Sequence, residues 1–490
     1  MLRNLAAGRW NFETAAHLLN RAGFGGPPAE IERLAGLGLE KAVAHFVEYE
    51  SIPDTSENPE WAQPDPDRAE KLRSARSAPE QERREMLRAY QQTERQHMVE
   101  LRRWWLQRMA SGPRPLQEKM VLFWHGHFAT SMEKVRDAYL MWRQNDLFRR
   151  LATGDWQQLL VAVAKDPAML IWLDQAQSRK EHPNENFARE VMELFALGIG
   201  HYTEKDVTEA ARALTGWSYS RPTQEFIERP FWHDRGQKVI FGHEGNFNGE
   251  DFLELLVARP QAARFITAKL WKFFAGAGPS DELVTSLAAE FRNADNNFKP
   301  LLRSIFSSEE FYSPNVIRNQ VKSPVQWLVG SVRLLERNLP PPMVCVGLTR
   351  NLGQDLFAPP NVKGWDGGLS WITTSTLLAR YNEAATLVLG DLAPMAGALG
   401  YRPNARPNLE RRLQNARIGG ADPERLFTEA ERASTDTLVP ALERRFLHAK
   451  LKPQQEKGLR DYLDQQTELT DDIVLNAVRL IKATPDYQVT

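Results

Sequence analysis

Apolar side chains recur at three- and four-residue spacing along nearly the whole chain, a period that dictates a fold of packed amphipathic helices. Met98, Leu101, Trp105 and Met109 form one such stripe, closed by the stop signal Ser111-Gly112-Pro113. The helix holding it opens at Pro79, and its first half is charged all round, with Glu80 and Arg84 at i,i+4, so only the second half is expected to pack. Pro115 starts the next helix, which runs through Met120 and Phe123 into Trp124-His125-Gly126-His127-Phe128. Amphipathic stretches continue across 139–151, 156–164, 249–257, 260–274, 280–291 and 298–306. The pattern changes once, between Gln224 and Phe247. There Phe226, Phe231-Trp232 and Val239-Ile240-Phe241 flank the turn signal Asp234-Arg235-Gly236-Gln237. The expected fold class is therefore mainly α, a multi-helix globular protein with one small β-hairpin insertion.

Four segments follow along the 490 residues. Residues 1–50 read as an N-terminal helical hairpin unit turning at Arg21-Ala22-Gly23-Phe24-Gly25-Gly26-Pro27-Pro28. Residues 51–78 read as a Pro-rich linker, since Pro53, Pro59, Pro64 and Pro66 suit neither a helix interior nor a central strand. A central helical body spans 79–390 with the hairpin near 224–247, and a C-terminal helical bundle spans 391–490. The loop Phe357 to Thr373 carries Pro359-Pro360-Asn361 and Gly364-Trp365-Asp366-Gly367-Gly368, and loops this long inside compact proteins are usually functional.

Charge narrows the partners. With 62 Lys+Arg against 63 Asp+Glu the net charge is −1, which argues against nucleic acid or an anionic membrane as the main partner. Cys345 is the only cysteine, so there is no internal disulfide and no zinc site of several thiolates; metal ligands must come from His, Asp or Glu. No apolar run approaches the roughly 18 residues of a membrane span, because Lys165 and Asp166 stop the best one at Ala164. As written the chain is expected to be cytoplasmic, or periplasmic or exported if a signal was removed.

The densest cluster of chemistry-bearing residues is Asn184-Glu185-Asn186-Phe187-Ala188-Arg189-Glu190-Val191-Met192-Glu193-Leu194-Phe195-Ala196-Leu197-Gly198. On a helix, Asn186, Glu190, Glu193 and Leu197 share a stripe that could bind a cation or place an acid and a base. The plainer alternative has Glu190 and Glu193 facing water or paired with Arg189 and Arg212. His125 and His127 form an H-x-H pair that chelates well on a strand but diverges by about 200° on a helix. Joint ligation therefore requires Gly126 to bend the helix; otherwise each histidine packs or caps. His201, after the Gly198-Ile199-Gly200 turn, is a third candidate ligand. Asp234 sits beside His233 at the expected hairpin turn, and Trp217, Trp365 and Trp371 lie where an exposed indole would mark a binding surface. The common nucleotide, zinc-protease, serine-hydrolase and EF-hand motifs do not occur.

Taken in order, several stretches resemble a large bacterial family filed as domain of unknown function 1800. They are His17-Leu18-Leu19-Asn20-Arg21-Ala22-Gly23-Phe24-Gly25, Phe123-Trp124-His125-Gly126-His127-Phe128, the run Asn184 to Gly198, and Tyr202-Thr203-Glu204-Lys205-Asp206-Val207. They continue with Ala211-Arg212-Ala213-Leu214-Thr215-Gly216-Trp217, His233-Asp234-Arg235-Gly236-Gln237-Lys238, Pro359-Pro360-Asn361-Val362-Lys363-Gly364-Trp365 and Ala483-Thr484-Pro485-Asp486-Tyr487-Gln488. The resemblance implies no agreed activity. It implies frequent export and a sulfatase-like partner protein or a glycan, hence envelope or polysaccharide work. This chain has Gly126 where the family often has Asn.

Two functions from different classes follow. One is a metal-assisted hydrolase of a polar or glycan substrate: His125, His127 and His201 would hold a divalent metal, Glu190 or Glu193 would act as ligand or base, and Arg189 or Arg212 would steady negative charge. The other is a non-catalytic binding or scaffold protein whose Trp365 loop docks a partner enzyme or glycan, with Asn186, Trp217 and Asp234 as further contacts.

Overall fold

Short polar side chains set the helix starts. Asn11, Asp137, Asn184, Thr203 and Asn248 each precede a helix and accept a hydrogen bond from a backbone N–H of its first turn. The computed structural model describes residues 2–393 and 417–490; the part of the expected C-terminal bundle at 394–416 lies outside the described residues. The architecture is mainly α, and the strands described form only two small antiparallel pairs.

The helix Glu80–Ser111 behaves as its sequence predicts, exposed over its first half and burying Met98, Leu101, Trp105 and Met109 over its second. Its neighbour Pro115–His127 is buried on almost every side. That forces its one acid to find partners: Glu118, 1% exposed, accepts from Arg108 Nε and Arg149 Nε, both at 2.7 Å, and from the Trp105 indole at 2.9 Å. One continuous apolar core runs from Leu5 in the N-terminal hairpin unit to Tyr487 near the C-terminus. The helix Thr374–Leu389, for example, packs on Asp471–Ala483. Of the Pro-rich stretch, residues 52–67 hold no helix or strand, but Arg68–Ser77 is helical and ties back through Arg68 to Asp137 at 2.8 Å.

The expected single hairpin is two. Strands β1 (Trp217–Tyr219) and β2 (Phe226–Glu228) pair with Ser218 opposite Ile227, and β3 (Lys238–Ile240) and β4 (His243–Gly245) pair with Val239 opposite Glu244. Between β3 and β4, Phe241 and Gly242 both take left-handed φ (51° and 82°), which a two-residue hairpin turn requires. Asp234 to Gln237 instead connects the pairs, because Asp234 accepts the Gly236 N–H at 2.7 Å and closes an Asx turn on its own backbone.

The run from Asn184 also departs from simple helical spacing. It is α-helical over Glu185–Glu190 and a π-helix over Val191–Leu197, closed by Gly198 at φ 84°, whose N–H reaches the Glu193 carbonyl five residues back. The wider turn breaks the 3.6-residue period on which the Asn186, Glu190, Glu193, Leu197 stripe rested.

Candidate ligand-binding cleft

The π-turn and the helix end leave carbonyls without intrahelical partners, and side chains from elsewhere take them up. Lys269 Nζ donates to Leu194 O at 3.1 Å, His127 Nε2 to Phe195 O at 3.0 Å, and Gln261 Nε2 to Leu197 O at 3.0 Å. Lys269 also donates to His127 Nδ1 at 3.2 Å. The motif thus delivers backbone oxygen that positions His127 and Lys269. Burial, with Lys269 beside it, holds the His127 ring neutral.

Because His125 and His127 lie on a helix, they point apart. His125 Nε2 accepts the Phe357 N–H at 3.0 Å, and its ring lies 5.6 Å from that of Trp365. It therefore anchors the start of the 357–373 loop. The same loop returns to the helix at Gly364, whose φ of 83° is left-handed; a Cβ there would stand 2.3 Å from the Gly126 carbonyl oxygen. Around Gly126 itself nothing comes within 4 Å of the place a Cβ would occupy, since its missing side chain opens onto a cleft.

That cleft has a volume of about 580 Å³. Lys119, Phe123, Gly126 and His127 form its wall from the helix Pro115–His127, and Lys269, Lys272 and Phe273 from Pro260–Ala275, each set falling on one helical face. Lys322, Ser323 and Gln326 close one end, and Lys363, Trp365, Asp366 and Trp371 of the loop form the lip. Five lysines face a single carboxylate, and Asp366 stands 3.6 Å from Lys363. Among the described residues the other four have no carboxylate partner. Lys119 bonds the Gln326 side-chain oxygen and Lys322 the Tyr487 carbonyl at 2.6 Å. Burial dominates their titration: it drives Lys119 well below the usual lysine range, Lys322 down to about 7, and Lys269 to about 8 with help from Lys272 and Lys363.

The residues singled out from sequence scatter. Glu193 accepts from the Tyr202 hydroxyl, while burial and the Glu193 charge raise Glu190, which is half-buried; Asn186 is exposed. Among the described residues neither glutamate pairs with an arginine, because Arg189 clamps Glu204 through two bonds of 2.7 and 2.6 Å and Arg212 holds Asp234 at 2.7 Å and Glu209 at 2.8 Å. Trp217 is buried at 3% exposure with Gly249 pressed against its ring, so it is core and not a binding surface. His201 is exposed and away from both other histidines' bonds. No group of three His, Cys, Asp or Glu stands close enough to hold a metal among the described residues, so the three-histidine ligand set does not assemble. Of the candidates, only His127, Trp365 and Trp371 line the cleft, Trp371 buried at 8% exposure rather than exposed, and His125 supports it from behind. Lys119, Lys269, Lys272 and Lys322 were missed. The readable signal was a lone lysine within an apolar helical stretch, as at Lys119 beside Met120 and Lys269 beside Leu270.

The family described as Protein of unknown function (DUF1800) matches residues 17–489, nearly the whole chain. The protein belongs to that family. No curated protein matches it, and no solved structure matches it. No described helix is long and apolar enough to cross a membrane.

Proposed function

We propose that the protein binds an anion-bearing sugar in the lysine-walled cleft. The observation that carries this reading is the set of four lysines without carboxylate partners among the described residues, two of them buried, in a cavity edged by two tryptophans. Buried cations without counter-charges are costly, and a phosphate, sulfate or carboxylate on a ligand supplies what the fold withholds. The half-buried Trp365 offers a flat apolar face on which a sugar ring stacks, with the buried Trp371 contributing only an edge and Ser323 and Gln326 available for hydroxyls. This favours the binding reading over metal-assisted hydrolysis, whose ligands do not converge.

Gly126→Leu tests it. The new side chain enters empty cleft space and replaces a helical glycine, so melting should hold or rise while the cleft is blocked. Calorimetric titration with galacturonate and glucose 6-phosphate, with glucose as the neutral control, should show binding of the charged sugars to the parent and none to the variant. Equal binding of glucose, or equal binding by Gly126→Leu, would refute the proposal.

A further inference from the structure

A second depression adjoins the cleft. It is a trough of about 540 Å³ on the other side of Lys269 and Lys272, and both lysines line both spaces. The rest of its wall includes His201, Gln261, Arg264, Phe265 and Ala268, with no carboxylate among the lining residues. The two spaces are built by one device. Lys269 Nζ sits 4.7 Å over the Phe265 ring and is held by the Leu194 carbonyl, and Gln261 is held by the Leu197 carbonyl, so the π-turn at the end of the 184–198 run organises both. Phe265 in turn lies 3.3 Å from where a Cβ on Gly198 would stand, so the glycine that ends the run lets the helix close on the aromatic wall of the trough.

We infer that the ligand is a chain: an acidic oligosaccharide that lies across the Lys269–Lys272 ridge, with its first two charged units in the cleft and later units in the trough. The inference rests on the anionic-sugar reading of the cleft and extends it. Each space pairs cations with an aromatic face, Trp365 on one side and Phe265 on the other, which is the pairing a polymer of charged sugar rings would meet twice. A single small anion would leave the trough's His201, Arg264 and Phe265 unused. Arg264 already holds Asp281 at 2.5 Å, so its role toward a ligand is shared, and the unpaired charge at the ridge comes from the two lysines. A nucleic-acid strand also offers repeated anions and flat rings, but the chain's net charge of −1 supplies no wider basic field to collect one.

Chain-length dependence tests this on the intact protein. Galacturonate oligomers of two and six units are titrated into the parent, Ala268→Leu and His201→Glu. The first variant fills the trough, and the second places a carboxylate in it at an exposed position where folding is unaffected. For the parent the hexamer should bind at least about tenfold more tightly than the dimer, as joined sites predict. Both variants should reduce that ratio to within about threefold while leaving dimer affinity unchanged. A ratio near one in the parent, with dimer binding intact, overturns the chain inference and spares the cleft reading; loss of dimer binding as well overturns the cleft reading. Tighter binding of a six-nucleotide single strand or of hexameric inorganic phosphate than of the hexagalacturonate overturns the assignment to a glycan.

Discussion

Replacing Lys322 with methionine should stabilise the protein clearly at neutral pH and little if at all at pH 9. Lys322 is 7% exposed, and burial, reinforced by Arg380 and Arg318, lowers it from the ordinary lysine value of 10.5 to about 7. Between those two values the unfolded chain binds a proton that the folded chain does not. Stability therefore falls as pH drops through the window from about 10.5 to about 7 and levels off below it. At about 1.36 kcal/mol per unit separating pH from the unfolded value, the buried lysine costs about 4 kcal/mol at pH 7 and about 2 kcal/mol at pH 9. Lys322→Met removes that cost but also the 2.6 Å bond to the Tyr487 carbonyl, a loss of about 1–2 kcal/mol. The net gain is about 2–3 kcal/mol at pH 7 and about 0–1 kcal/mol at pH 9. Urea unfolding of parent and variant at both pH values measures the two differences. A difference that is the same at pH 7 and pH 9 would show that Lys322 keeps its proton and would refute the argument. Anion binding is proton-coupled for the same reason. A ligand anion beside Lys322 and Lys269 restores their charge, so titrations near pH 8 in buffers of different ionisation enthalpy should register proton uptake.

Other outcomes are equally specific. Glu118→Gln leaves Arg149 buried beside a neutral amide and Arg108 with Asp54 alone, and should lower stability by about 3–5 kcal/mol in urea unfolding, since removing the shared carboxylate strands a buried charge. Gly364→Ala places a Cβ against the Gly126 carbonyl at a left-handed φ, so it should cost at least about 2 kcal/mol and weaken charged-sugar binding by displacing the loop that carries Trp365. Glu190→Gln, at a half-buried position with no arginine partner and outside the cleft, should change stability by less than about 1 kcal/mol and leave ligand affinity as it was, read by melting and titration together.

Helix boundaries and packed faces were legible because they depend on local rules. The stripe Met98, Leu101, Trp105, Met109 is buried as spaced, and Asn184 and Gly198 start and stop their helix as their side chains dictate. The β region was legible as a change of period, but not its pairing, because Asp234-Arg235-Gly236-Gln237 satisfies an Asx turn as readily as a hairpin turn. The 357–373 loop was recognised from its length and its Gly and Pro content, and it does form the lip of the cleft. The lysines were not recognised, because a lysine on a mostly apolar helix ordinarily snorkels to water. Whether it is trapped instead depends on helices more than a hundred residues away, as Lys119 on Gln326 shows.

The run Asn184 to Gly198 explains why a dense motif can mislead about chemistry. Its acids suggested a catalytic stripe under a uniform 3.6-residue period, and the π-turn from Val191 removes that period. What the segment supplies is its unpaired carbonyls at Leu194, Phe195 and Leu197, which orient Lys269, His127 and Gln261 without contributing any side chain to the cleft. A carbonyl can hold an ammonium in place without neutralising it, whereas a carboxylate at the same point would form an ion pair and cancel the charge offered to a ligand. Backbone oxygen is thus the partner suited to a lysine kept for an incoming anion, and backbone oxygen carries no residue signature for a sequence reading to find.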